Sequence, residues 1–232
     1  MDRPVTTLFM LMSLDGKIST GASDELDFDR DLPLVPGVSE GLHQYYELEQ
    51  ETDPWSLNTG RVMAKVGANE LPAPERLPVS FAIVDNTHLT GAGVRWLCAR
   101  CRRVVIVTSN AAHPAFAVGE DNLSVMLQER PSLSHALRRL RAEHGCEHLT
   151  IQSGGTLNAA LVREGLVDFV DVVVAPLFVG GRDTPTLVDG PSFTSVRELS
   201  RLCPLELLGC EALRDSYVRL RYRVAQPSQD YA

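Results

Sequence analysis

The chain has 232 residues, 44% hydrophobic and 22% charged, a globular balance that excludes broad disorder and suits one large α/β domain. Its 22 Lys and Arg against 30 Asp and Glu give a formal net charge of −8, which disfavours nucleic-acid backbones and anionic membranes as partners. The five cysteines are odd in number and their spacings suggest no secreted disulfide framework.

Val5 to Met12 reads as a buried strand, bounded by the turn-like Ser13-Leu14-Asp15-Gly16. It is too short and too poorly flanked for a leader peptide, and no run reaches membrane-spanning length, so the cytoplasm is the expected location. A polar loop is expected to about Pro36, then a helix from Ser39 to Glu51 with Ser39 as its N-cap. Trp55 to Asn58 predicts a short strand and Gly60 to Val66 a short helix. Gly67 to Pro78 carries Pro72, Pro74 and Pro78 and predicts an irregular loop.

Strands are predicted at Ser80 to Val84, Arg103 to Thr108 and Asn122 to Leu127, with a helix near Gly93 to Arg100. Cys98 and Cys101 form a lone C-x-x-C, which without a second pair predicts no metal. Ser134 to Glu143 predicts a helix, and its Arg138-Arg139-Leu140-Arg141 run reads as a solvated face. His144, Cys146 and His148 surround Gly145, a helix breaker, and read as a turn rather than a metal site. His148 to Gln152 predicts a strand, and Leu157 to Glu164 a helix ended by Gly165. Val167 to Ala175 reads as a strand buried on both faces. Leu205 to Cys210 and Ser216 to Val224 predict an antiparallel pair, and 226–232 a frayed polar tail. With no long linker, residues 1–225 read as one domain.

The strongest local signal is Gln152-Ser153-Gly154-Gly155-Thr156-Leu157-Asn158, a strand running through two glycines into a helix. The first helical amides have no intrahelical acceptor and lie at the positive end of the dipole, so such a turn can hold phosphate. Tight packing of a turn accounts for the same glycines equally well. The pattern is neither G-x-G-x-x-G nor a P-loop.

Four segments in order carry a resemblance: Met12-Ser13-Leu14-Asp15-Gly16-Lys17-Ile18, Ser153 to Asn158, Glu164-Gly165-Leu166-Val167-Asp168, and Ala175-Pro176-Leu177-Phe178-Val179-Gly180-Gly181. Together they resemble the riboflavin-biosynthesis reductases, the C-terminal reductase domain of the bifunctional deaminase-reductase. The resemblance implies a dihydrofolate-reductase-like α/β fold: a mixed, mostly parallel sheet flanked by helices, with an antiparallel C-terminal strand pair. It implies NADPH as cofactor, a small heterocyclic substrate and a homodimer. Within it, Gly154, Gly155, Thr156 and Leu157 are expected to hold the cofactor's diphosphate, with Asn158 close by. Asn58, Thr59, Gly60 and Arg61 meet the cofactor at a helix start, with Arg61 suited to the 2′-phosphate, and an exposed arginine that only solvates the helix explains Arg61 as well.

Asn86 and Thr108 stand at strand ends as further cofactor contacts, and turn formation by small polar residues explains them as well. Asp15 and Lys17 are the expected catalytic pair, Lys17 supplying positive charge where hydride transfer leaves negative charge, and an Asp-Gly turn with a surface lysine accounts for them as well. Gln152 is the expected substrate contact, an amide where the family usually has an acid. Lys65 likewise stands where the family has an acid. These changes leave open a same-fold reductase acting on a pterin or another small heterocycle, or a nucleotide-binding relative without catalysis.

Overall fold

The computed structural model describes residues 2–72 and 75–225; Pro74 of the predicted loop and the predicted tail 226–232 lie outside the described residues. In chain order the elements begin with β1 (Val5–Ser13), α1 (Phe28–Asp31), α2 (His43–Glu49), β2 (Trp55–Thr59) and α3 (Gly60–Lys65). They continue with β3 (Ser80–Val84), α4 (Gly91–Arg100), β4 (Arg103–Thr108), β5 (Leu123–Leu127) and α5 (Leu133–His144). The last are β6 (His148–Ile151), α6 (Gly155–Arg163), β7 (Phe169–Ala175), β8 (Leu205–Ala212) and β9 (Val218–Val224). The chain forms two compact units, Met1–Val5 with Asp53–Ser153, and Thr6–Thr52 with Gly154–Ala232.

In the first unit the strands run in the order β5-β4-β3-β2-β6, and every neighbouring pair is parallel. Parallel strands need crossovers: α3, α4 and α5 supply those after β2, β3 and β5, and the 109–122 segment with its 3-10 turn at Pro114–Ala117 supplies the one after β4. The continuous apolar run of β4 is the signature of a strand covered on both faces, and Val104 to Val107 are all buried. Thr90 and Ser132 cap α4 and α5, their hydroxyls accepting the Gly93 and His135 amides. Ile83, Val94, Leu97, Val104 and Ile106 share one apolar core. Cys98, Cys101 and Cys146 are buried in this unit, and burial pushes their thiols up to about 11, 12 and 12.

The second unit orders its strands β1-β7-β9-β8, with β1 and β7 parallel and the last two pairs antiparallel. Phe9 stacks on Tyr45 with centroids 5.1 Å apart, and both pack with Leu32, Val173 and Tyr217. The Tyr217 hydroxyl, inside that core, donates to the Val38 carbonyl at 2.7 Å. The expected Ser39 cap is not used. Turns continue through Leu42, α2 opens at His43 without a side-chain cap, and Ser39 Oγ bonds Glu40 instead. The expected loop before Pro36 contains α1 and a 3-10 turn at Leu32–Leu34, both anchored by the buried Phe28 and Leu32.

Helix α6 starts at Gly155, two residues before the expected Leu157, and ends as predicted at Gly165. Gly165 has φ +66, and the Leu166 and Gly165 amides donate to the Leu161 and Val162 carbonyls. That double bond pattern closes the helix in a Schellman turn.

Candidate active site

In the first unit, β2 through β5 progress in one direction and β6 returns to the opposite side of β2. The order therefore reverses between β2 and β6, and open parallel sheets bind ligands outside the carboxyl ends of strands at such a point. Asn58, Thr59 and Gly60 stand at the end of β2, and Gln152 follows the end of β6. The Gln152 amide donates to the Leu57 carbonyl at 3.0 Å, and its side-chain oxygen accepts from Ser56 Oγ at 3.0 Å. The Gln152 carboxamide is thus oriented from below.

Asn58 Oδ1 accepts the Thr59 amide, and Thr59 Oγ1 accepts the Val62 amide as the N-cap of α3. Arg61 is exposed on the first turn. At the ends of β3 and β4, Asn86 Oδ1 accepts from Thr108 Oγ1 at 2.9 Å and from the Ser109 amide at 2.8 Å. The structure therefore brings Asn86 and Thr108 together as a bracket across two strand ends.

Beside that bracket lies a group the sequence reading passed over. The Asp85 side chain is fully buried and accepts the amides of Thr87 (3.3 Å), His88 (3.0 Å) and Leu89 (2.9 Å). His113 Nε2, equally buried, stands 2.9 Å from Oδ2. Burial pushes the Asp85 carboxyl up, but the His113 ring and the Leu89 and His88 donors outweigh it, and its pKa lies below the ordinary value. His113 Nδ1 accepts the Ala115 amide, which leaves Nε2 to carry the proton toward Asp85. A Cβ at Gly60 would stand 2.2 Å from Asp85 Cγ, so only glycine lets α3 start this close to the carboxylate.

The second unit carries the glycine turn. Gly154 is the N-cap of α6 with φ −70, and its carbonyl accepts the Leu157 and Asn158 amides. The Gly155 and Thr156 amides, at the first two positions of this nine-residue helix, have no helical acceptor. Nothing lies within 4 Å of a Cβ placed on Gly154, whereas one on Gly155 would meet the Thr186 carbonyl at 2.2 Å and Asp189 Oδ2 at 2.3 Å. The two glycines thus serve different ends: Gly155 admits the 186–189 segment, and Gly154 faces open space. Asn158 is fully buried and donates from Nδ2 to the Leu187 carbonyl at 2.9 Å, bracing the same segment. Thr156 is exposed on the first turn and Leu157 half-buried. This arrangement fits a bound phosphate: helix-terminal amides, an open glycine face and a neighbouring threonine.

Asp15 and Lys17 converge on the segment after β7. Asp15 accepts the Ser13 hydroxyl at 2.5 Å and the Val179 and Gly180 amides at 3.1 and 2.7 Å. Those bonds, Ser13 foremost, lower its pKa from 3.8 to about 2. Lys17 is buried, and Nζ donates to the Gly181 and Thr184 carbonyls at 2.7 and 3.0 Å. Two of its three ammonium N–H groups are thereby committed. Asp168, in another segment of the resemblance, accepts the amide and hydroxyl of Thr6 and ties β1 to β7.

Among the described residues no helix is long and apolar enough to cross a membrane, and no group of three or more His, Cys, Asp or Glu is placed to hold a metal ion. His144 stands against the Trp55 ring, and Cys146 Sγ donates to the His148 carbonyl.

The family model described as RibD C-terminal domain matches residues 4–218. The chain is 32% identical over 207 residues to the 2,5-diamino-6-ribosylamino-4(3H)-pyrimidinone 5′-phosphate reductase of Methanothermobacter thermautotrophicus, covering 86% of this chain and 90% of that one. It is 31% identical over 212 residues to the enzyme of the same name from Archaeoglobus fulgidus, covering 82% and 89%. Its fold matches Acinetobacter baumannii RibD with a TM-score of 0.67 at 18% identity, covering 97% of this chain. The chain spans 59% of the length of that RibD. A dihydrofolate-reductase-like arrangement of α/β elements, the glycine turn before α6 and these matches lead to one assignment: the chain belongs to the RibD C-terminal domain family.

Proposed function

We propose that the protein is an NADPH-dependent reductase of riboflavin biosynthesis, acting on a ribosylaminopyrimidine 5′-phosphate and reducing its ribosylamino group to a ribitylamino group. Its relatives at 32% and 31% identity, matched over nearly their whole length, are named as reductases of such a compound. The observation that carries the cofactor assignment is the mouth of α6, where the Gly155 and Thr156 amides lack helical acceptors beside the open face of Gly154.

When bound, NADPH supplies the hydride. The chain's own residues bind and orient. In the second unit, the Gly155 and Thr156 amides and the Thr156 hydroxyl hold the diphosphate, with Leu157 beside it and Asn158 holding the 186–189 segment behind the turn. Taken by itself, the first unit offers nucleotide contacts at Asn58, Thr59 and Gly60 on the start of α3, at Arg61, suited to a 2′-phosphate, and at Asn86 and Thr108 on the strand ends. Gln152, held by Ser56, hydrogen-bonds the substrate. Lys17 presents its third N–H to the negative charge that reduction creates, and Asp15 keeps the 179–180 backbone in place.

The protein is proposed to act as a homodimer. Edge strand β8 exposes Leu205, Leu207 and Leu208, an apolar edge that a monomer in water would ordinarily blunt.

Thermal unfolding with NADPH, NADH and NADP+ tests the cofactor assignment. At a hundredfold excess over its Kd, NADPH stabilises by about 2.7 kcal/mol and raises Tm. Gly154→Asp, whose side chain has room and an ordinary φ, places a carboxylate against the diphosphate and removes that shift. A full shift in this variant contradicts the assignment. Loss of reduced-cofactor absorbance with the pyrimidine, against a pterin panel, identifies the substrate.

A further inference from the structure

We infer that Asp85, locked by His113, is a positioning residue that sets the cofactor-facing ends of β2, β3 and β4. The inference rests on the proposed use of Asn58 to Arg61, Asn86 and Thr108 toward NADPH. Asp85 directly follows β3 and precedes Asn86 in the chain, so any rotation of its backbone moves Asn86. Its carboxylate gathers the amides of Thr87, His88 and Leu89, which fixes the loop after β3. The same carboxylate fills the space a Cβ would take at Gly60, which fixes how closely α3 can begin to the end of β3.

The third strand end is reached through His113. The Asp85 amide donates to the Val107 carbonyl at 3.0 Å, and the His113 ring holds Oδ2 from the segment after β4. His113 is itself oriented, since Nδ1 accepts Ala115 and its backbone amide donates to Asn110. Asn110 in turn donates from Nδ2 to the Asn86 carbonyl at 2.8 Å. The result is a closed circuit, Asp85 to His113 to Asn110 to Asn86, lying between strands whose ends carry the proposed cofactor contacts.

A buried carboxylate surrounded only by donors is a costly way to hold a loop, because removing one partner strands the rest. What it provides is a fixed position: a charge held by directional donors from two chain segments, 87–89 and His113, cannot drift, whereas an apolar plug of similar size can. His88 Nδ1 also stands 3.0 Å from Oδ1, on the half-exposed side of the group. Asp85 and His113 are shut away from solvent, so their part is to place the residues at the strand ends.

The test is an NADPH titration of the whole chain by cofactor fluorescence, run well below each variant's Tm, with circular dichroism checking the fold. Asp85→Asn replaces an acceptor by a donor facing donors, and raises the NADPH Kd about tenfold or more. His113→Leu raises it comparably, while His113→Gln, whose amide N–H can reach Oδ2, restores Kd to within about threefold of wild type. Loss of stability alone leaves the Kd of the folded protein unchanged and would not separate Leu from Gln at position 113. A folded Asp85→Asn that binds NADPH as wild type does overturns the inference. If Asp85→Asn does not fold, equal Kd values for folded His113→Leu and His113→Gln overturn it equally well. Wild-type protein that binds no NADPH removes the proposed function and this inference with it, a distinct result from variants that bind normally.

Discussion

Asp15 does its work through geometry on a surface turn. Its pKa of about 2 lies below the ordinary 3.8, so its contribution to stability is present above pH 4 and fades as pH falls toward 2. Asp15→Asn is expected to flatten that part of the acid-unfolding curve and to speed hydrogen exchange at the Val179 and Gly180 amides. Unchanged exchange at both amides would show that the carboxylate does not hold the segment. Tyr217 makes a different kind of bond, wholly inside the core. Tyr217→Phe leaves the buried Val38 carbonyl without its donor and is expected to lower stability by about 1–3 kcal/mol in urea unfolding, with little change in m.

Elements differ in how much of themselves they show in the sequence. The strands at 80–84 and 103–108 match their predicted bounds because a short apolar run between turn residues has few other uses. Gly165 was equally legible: a glycine after a periodic run is a helix stop, and φ +66 is the reason. Gly165→Ala is expected to cost about 1–2 kcal/mol in chemical unfolding, and a neutral result would mean that the left-handed turn is not needed. Helix α1 was hidden because four residues carry no period, and what holds them is Phe28 and Leu32 packing with distant Phe9 and Val173. Ser39 misled because it has the right chemistry for a cap while the backbone is still turning after Gly37. The glycine turn before α6 drew notice as a local pattern that turn packing explained equally well, and the resemblance singled it out. Asp85 did not, because His113 lies 28 residues away and the need for glycine at position 60 comes from Asp85 itself. The two carbonyls that hold Lys17 are 164 and 167 residues distant, beyond any local spacing rule.

At the scale of the whole chain, the proposed homodimer rests on the β8 edge. Leu207→Glu is expected to shift sedimentation equilibrium from dimer to monomer while leaving Tm within a few degrees, since Leu207 is 56% exposed. An unaltered mass would place the contact elsewhere. The cysteines divide between the two units in a way that invites use. Cys98, Cys101 and Cys146 belong to the first, while Cys203 is half-buried and Cys210 exposed in the second. An aromatic disulfide reagent at neutral pH should therefore consume Cys203 promptly, and Cys210, which lies on β8, as soon as the proposed dimer edge is open. The other three thiols, shielded and held protonated, should react only when the first unit opens. The delay between the two bursts is a native stopwatch on that opening, readable by eye as yellow colour, with no label added and no residue changed.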